Sequence, residues 1–147
     1  AHYTMAAHKA SKVKKNAVRD ANQIIMQKPL WVNYMKSGEW NPSHSHTGKI
    51  SCVTYLRVPK EIDEENQKGT HTSKSNTPSA GRIEWSFGNV GMSFSSGGYI
   101  RTPQEKSIFI FPAALSHMVY PFKSNVERIT VAYNMNFVEK KIKDKNE

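Results

Sequence analysis

From Leu30 to Val138 the chain breaks into short runs of β-branched and aromatic residues, most of them closed by Gly or Pro. The runs 30–35, 50–58, 82–87, 91–95, 98–101, 107–111, 117–120 and 128–137 read as strands. Many short strands joined by turns predict a mainly β sandwich or barrel. One helix is expected ahead of them. Over Ser11–Met26, residues Val13, Ala17, Ala21, Ile24 and Ile25 share one apolar face, and Pro29 closes the segment. Residues 36–43, with Gly38, Asn41 and Pro42, read as turn-rich. The polar stretch 60–80 reads as a long loop, a feature usually kept for lids or binding, and it is the candidate for substrate selection. The tail after Val138 is expected to be a frayed helix or disordered.

A chain of 147 residues fits one domain, taken as 1–147 with the β core over about 30–138. One cysteine, Cys52, excludes an internal disulfide framework and fits a reducing compartment. No stretch approaches the ~20 apolar residues of a membrane span, and no apolar region follows the early lysines as in a signal peptide. A cytoplasmic protein is therefore expected. The formal charge is +9. Much of it crowds the first 28 residues (Lys9, Lys12, Lys14, Lys15, Arg19, Lys28). Such charge can neutralise phosphates, but no aromatic residues interleave with it as a single-strand stacking platform needs. Nucleic acid is thus a conceivable partner rather than the favoured one. The sequence leaves oligomeric state open.

Three histidines stand out. His44 and His46 lie two apart just before the strand at Ile50, so in extended chain both rings face one point. His117 follows the apolar strand that ends at Phe111-Pro112. Two close ligands plus a distant one can assemble a metal site in a β-sandwich, although a His-x-His pair in a polar loop is also common on surfaces. Imidazole suits iron, zinc, copper and nickel alike. Downstream, strand alternation puts Arg128, Thr130, Ala132 and Asn134 on one face and Ile129, Val131 and Tyr133 on the other. If the first face points inward, Arg128 needs an anionic partner, because a buried unpaired charge is costly. Its planar fork matches a carboxylate, and the Thr130 hydroxyl can add a bond. If it points outward, Arg128 is an ordinary surface residue.

Trp31-Val32-Asn33, Asn41-Pro42-Ser43-His44-Ser45-His46, Ser51 to Pro59, Phe111-Pro112 through His117, Pro121-Phe122, and Glu127-Arg128-Ile129 through Asn134 together resemble the 2-oxoglutarate/iron(II) oxygenases of marine bacteria and their phages. The resemblance runs from about Trp31 to Asn134. It implies a double-stranded β-helix, the jelly roll of the cupin-like, prolyl-hydroxylase-like oxygenases. It implies iron(II) as the metal and 2-oxoglutarate as the co-substrate. By this similarity His44 and His117 match metal histidines, and Arg128 with Thr130 matches the grip on the far carboxylate of 2-oxoglutarate. Tyr55 is similar to a strand tyrosine sharing that carboxylate, and Asn33 to an asparagine that contacts the co-substrate. The implied activity is hydroxylation of a peptide, protein or small molecule with release of succinate and carbon dioxide.

In one position the chain departs from this pattern. The wider superfamily carries an acid two residues after the first histidine, and here the residue is His46. Three ways of filling that position stay open: His46 completing a three-histidine site, Glu84 on a neighbouring strand supplying a carboxylate, or an empty or water-filled position. Trp85, Phe87 and Phe109 are candidates for lining the pocket or for ordinary core. Two other readings stay open: a metal-binding cupin-like module without oxygen chemistry, and a basic protein that binds or demethylates nucleic acid.

Overall fold

The computed structural model describes residues 21–27, 29–68, 76–87 and 97–139. They form nine strands and one helix: β1 (Ala21–Met26), β2 (Trp31–Met35), β3 (Asn41–His44), β4 (Ile50–Arg57), α1 (Lys60–Gln67), β5 (Ile83–Ser86), β6 (Gly98–Arg101), β7 (Ile108–Pro112), β8 (Ser116–Val119) and β9 (Arg128–Glu139). A five-stranded sheet runs β1-β9-β4-β7, with β2 also on β9, and a four-stranded sheet runs β3-β8-β5-β6. All the pairings are antiparallel. This is the jelly-roll class expected.

β9 is the longest element and organises the larger sheet. Its first half pairs with β2 (Asn33 opposite Thr130, Met35 opposite Arg128) and its second half with β1. β4 covers its other edge, with Tyr55 opposite Thr130 and Ser51 opposite Asn134. Alternation holds along β9: Arg128, Thr130, Ala132 and Asn134 are buried, while the residues between them are half-buried. Between the sheets, Trp85, Phe111, Phe122, Ile83 and Val119 form the core, with Phe109 packed against it.

Four expectations change. Residues 21–26 form β1 rather than the last turns of a helix. The free edge of β9 offers backbone partners from Met135 to Glu139, and β-branched Ile24 and Ile25 suit the extended state. The rest of that expected helix, 11–20, lies outside the described residues, as do the whole of the 91–95 candidate strand and the tail from 140. Asn41–His44 is a strand rather than turn, since an edge strand tolerates Pro42. The expected loop 60–80 begins with a helix, α1, and only residues 76–80 of its remainder, beyond Lys68, are described. Finally, the apolar strand expected at 107–111 includes Pro112 and starts at Ile108.

Candidate metal centre

The small sheet brings the histidines together. His44 at the end of β3 lies opposite His117 on β8. His46 follows in the connection to β4, where its backbone N–H donates to the Ala113 carbonyl at 2.8 Å. The ring centroids of His44 and His117 are 4.3 Å apart, those of His44 and His46 4.9 Å, and those of His46 and His117 5.1 Å. One ligand nitrogen from each ring lies within 4.8 Å of the others.

The ring nitrogens are already sorted. Nδ1 of His44 is 2.6 Å from the Pro42 carbonyl, and Nδ1 of His117 is 3.0 Å from the Leu115 carbonyl. A carbonyl only accepts, so each Nδ1 must carry the proton and each Nε2 the lone pair. Both contacts reach back two residues, so the two rings are set by the same local device. Fixing one nitrogen by a backbone carbonyl is how metal-ligating histidines are oriented. Burial holds His117 down to about 4, helped by the nearby His44 and His46 and opposed by the Leu115 bond. Burial, then His44, also lowers His46. Neutral imidazoles with free lone pairs are what a divalent ion requires. The residues present therefore fit a metal.

Glu84 does not join them. Trp85 lies opposite His117 and is buried, so Glu84, opposite Met118, points to the other face of the sheet. There its carboxylate accepts from the Tyr120 hydroxyl. Among the described residues the three histidines are the one grouping of three metal-binding side chains. Of the expected lining aromatics, Trp85 and Phe109 belong to the core, edge-on to each other at 5.3 Å, and Phe87 is exposed. Phe111 takes the place beside the site, 4.7 Å from the His117 ring.

A cavity of about 610 Å³ opens from the histidines towards β9. Asn33, Tyr55, Arg128 and Thr130 all line it, so these four and the three histidines face one space. Arg128 is 3% exposed. Its Nη1 donates to the Gly81 carbonyl at 2.8 Å and its Nη2 to Met35 Sδ at 2.7 Å, while Nε has no partner. The ion pairs among the described residues, Lys60–Glu64 and Lys68–Glu64, are elsewhere on the surface. Arg128 is thus a buried cation without an acid, the condition under which an anionic ligand is wanted. Tyr55 is 1% exposed, with the guanidinium carbon 5.6 Å from its ring centre. Burial pushes its hydroxyl up to about 12 against the pull of Arg128, so it stays a neutral donor. Asn33 donates to the Thr130 hydroxyl at 3.4 Å. Sequence reasoning did not find Met35 or Gly81; only pairing across β2–β9 puts Met35 beside Arg128, and a carbonyl leaves no mark in a sequence.

The fold is similar to that of an oxidoreductase of the 2OG-Fe(II) oxygenase family from Burkholderia pseudomallei, with a TM-score of 0.53 and 13% identity. That likeness covers 78% of this chain and 45% of the other, so the present chain spans less than half of that protein's length. No curated protein matches the chain. Residues 29–134, a stretch that holds every candidate ligand named above, match the model of the family described as "Putative 2OG-Fe(II) oxygenase", and the chain belongs to that family, which implies Fe(II) and 2-oxoglutarate as its metal and co-substrate.

Proposed function

We propose that the protein is a dioxygenase in which His44, His46 and His117 hold Fe(II) and Arg128 holds the far carboxylate of 2-oxoglutarate. The observation that carries this reading is the pairing of two unmet needs in one cavity. Three imidazoles, two of them with Nε2 freed by a carbonyl on Nδ1, converge at one end, and a buried guanidinium without a carboxylate lies at the other. When bound, the iron and the keto acid supply the oxidising chemistry that hydroxylates the substrate with release of succinate and carbon dioxide. The chain's own residues do the rest. Arg128 and Thr130 bind the carboxylate, and neutral Tyr55 donates a third hydrogen bond to it. Asn33 keeps the Thr130 hydroxyl turned towards the cavity. Phe111, Val119 and Ile83 make the wall that excludes water from the reacting end.

The prime substrate enters from the exposed side, where Trp40 and Tyr34 reach the cavity rim. Arg128 is the one Lys or Arg that lines the cavity among the described residues, and Glu39 lies at the rim. Among the described residues the lining thus gathers no cluster of cations for a polyanion, which favours a peptide or small molecule.

The test is an anaerobic titration of the iron-loaded protein with 2-oxoglutarate. A weak visible charge-transfer band should grow to one equivalent, and admission of oxygen should then yield succinate. A protein that binds iron tightly yet gives neither band nor succinate would instead be a metal-binding module. The neutral third donor, His46, is the observation in favour of that second reading.

A further inference from the structure

α1 is an unusual helix to find packed on a β-sandwich. Its one buried apolar residue is Ile62, and its other buried side chains are Glu65 and Asn66. A helix seated on polar side chains is held by directional bonds more than by apolar area. Asn66 forms a two-way clamp. Its Oδ1 accepts from the Ala80 N–H at 2.8 Å, and its Nδ2 donates to the Ala80 carbonyl at 3.0 Å and to the Ile62 carbonyl at 3.3 Å. The next residue, Gly81, supplies the carbonyl that receives Arg128 Nη1.

Gly81 has little freedom to turn that carbonyl elsewhere. Its φ is +65°, and a Cβ there would lie 2.5 Å from Ile62 Cγ2. Its N–H donates to the Pro121 carbonyl at 3.2 Å. The loop is thus pressed on α1, tied to it one residue earlier and tied to the β8–β9 connection by its own amide.

The partners of Arg128 are chemically telling. A purely structural buried arginine is expected to meet an acid. One buried carboxylate lies on this very helix, but Glu65 is turned to the Lys123 and Ser124 backbone amides and the Ser124 hydroxyl instead. Arg128 is given a carbonyl and a thioether, acceptors that set direction without cancelling charge. Of its five N–H donors two are used, and three are left for a ligand.

We propose that α1 braces the co-substrate anchor: through Asn66 and the Ala80–Gly81 backbone it fixes how Arg128 meets the far carboxylate of 2-oxoglutarate, making Asn66 a positioning residue. This rests on the proposed role of Arg128. It gives a polar helix remote from the histidines a part in co-substrate selection.

The test uses the full chain loaded anaerobically with Fe(II), and calorimetric titration with 2-oxoglutarate and with pyruvate. Pyruvate has the same chelating end but no far carboxylate. The wild type should bind 2-oxoglutarate more tightly than pyruvate. Asn66→Ala should weaken 2-oxoglutarate about tenfold, the scale of one misaligned charge-assisted bond, while pyruvate and iron binding stay as they were. Should that variant fail to fold, Asn66→Asp keeps the acceptor for Ala80 N–H, sets a carboxylate oxygen in place of the amide donor to the Ala80 and Ile62 carbonyls, and should move the ratio in the same direction. An unchanged ratio of the two affinities overturns the brace, and so does an equal loss of both, which marks general loosening. A wild type that binds both acids alike overturns the reading of Arg128 itself, and the brace with it.

Discussion

Arg128 carries its charge to a buried place where no acid among the described residues answers it. Truncating one partner of a buried, charge-assisted pair typically costs about 2–5 kcal/mol. Arg128→Ala should therefore weaken 2-oxoglutarate by roughly a hundredfold, at about 3 kcal/mol, with iron content unchanged in elemental analysis of the purified variant. Normal turnover of 2-oxoglutarate by that variant would remove Arg128 from the site. His117→Ala should do the reverse and abolish stoichiometric iron, because it deletes the most buried of the three proposed ligands; one iron retained per chain would break the triad. These residues were readable in the sequence because a strand's period of two places Arg128, Thr130 and Asn134 together, and because His44 and His46 keep that spacing. What could not be read was the partner set. Glu84 seemed a reasonable acid until the Trp85–His117 pairing put it on the opposite face.

Among elements, legibility followed how much each owes to its own residues. β4 and β9 are rich in β-branched and aromatic residues, and both stand close to their expected bounds. β1 went the other way because pairing with the far half of β9, a contact more than a hundred residues away in sequence, outweighed a helical spacing. α1 was hidden because Ile62 is its single buried apolar residue, too few for a periodic signal. Its seat depends instead on Glu65, which accepts from two backbone amides and one hydroxyl at 2.5–3.0 Å. Glu65→Ala should leave these donors unsatisfied and lower stability by about 3 kcal/mol, seen as a shifted urea midpoint with unchanged slope. A shift under about 0.5 kcal/mol, the size of an ordinary surface substitution, would mean that the 121–124 connection is held by other contacts.

The two proposed sets of binding residues stand on different sheets. His44 and His117 belong to the four-stranded sheet, whereas Arg128, Thr130, Tyr55 and Asn33 belong to the five-stranded one. A metal alone ties together only the β3 and β8 side of the molecule. A keto acid chelated there and gripped by Arg128 spans the gap between the sheets. Stability should therefore rise in two steps. A ligand at a hundred times its dissociation constant adds about 2.7 kcal/mol, and for a chain of this size each kcal/mol moves the melting temperature by roughly 3 °C. Saturating 2-oxoglutarate on the metal-loaded protein should thus add about 8 °C beyond the metal's own increment, measured anaerobically so that no turnover intervenes. Without metal the same concentration of 2-oxoglutarate should add much less, since Arg128 would hold only one end. Arg128→Ala should keep the first step and lose most of the second, whereas His117→Ala should lose both, because the keto acid then has no metal to chelate. If the second step survived Arg128→Ala at full size, the co-substrate would be held on one sheet only, and the division of labour between the sheets would be wrong.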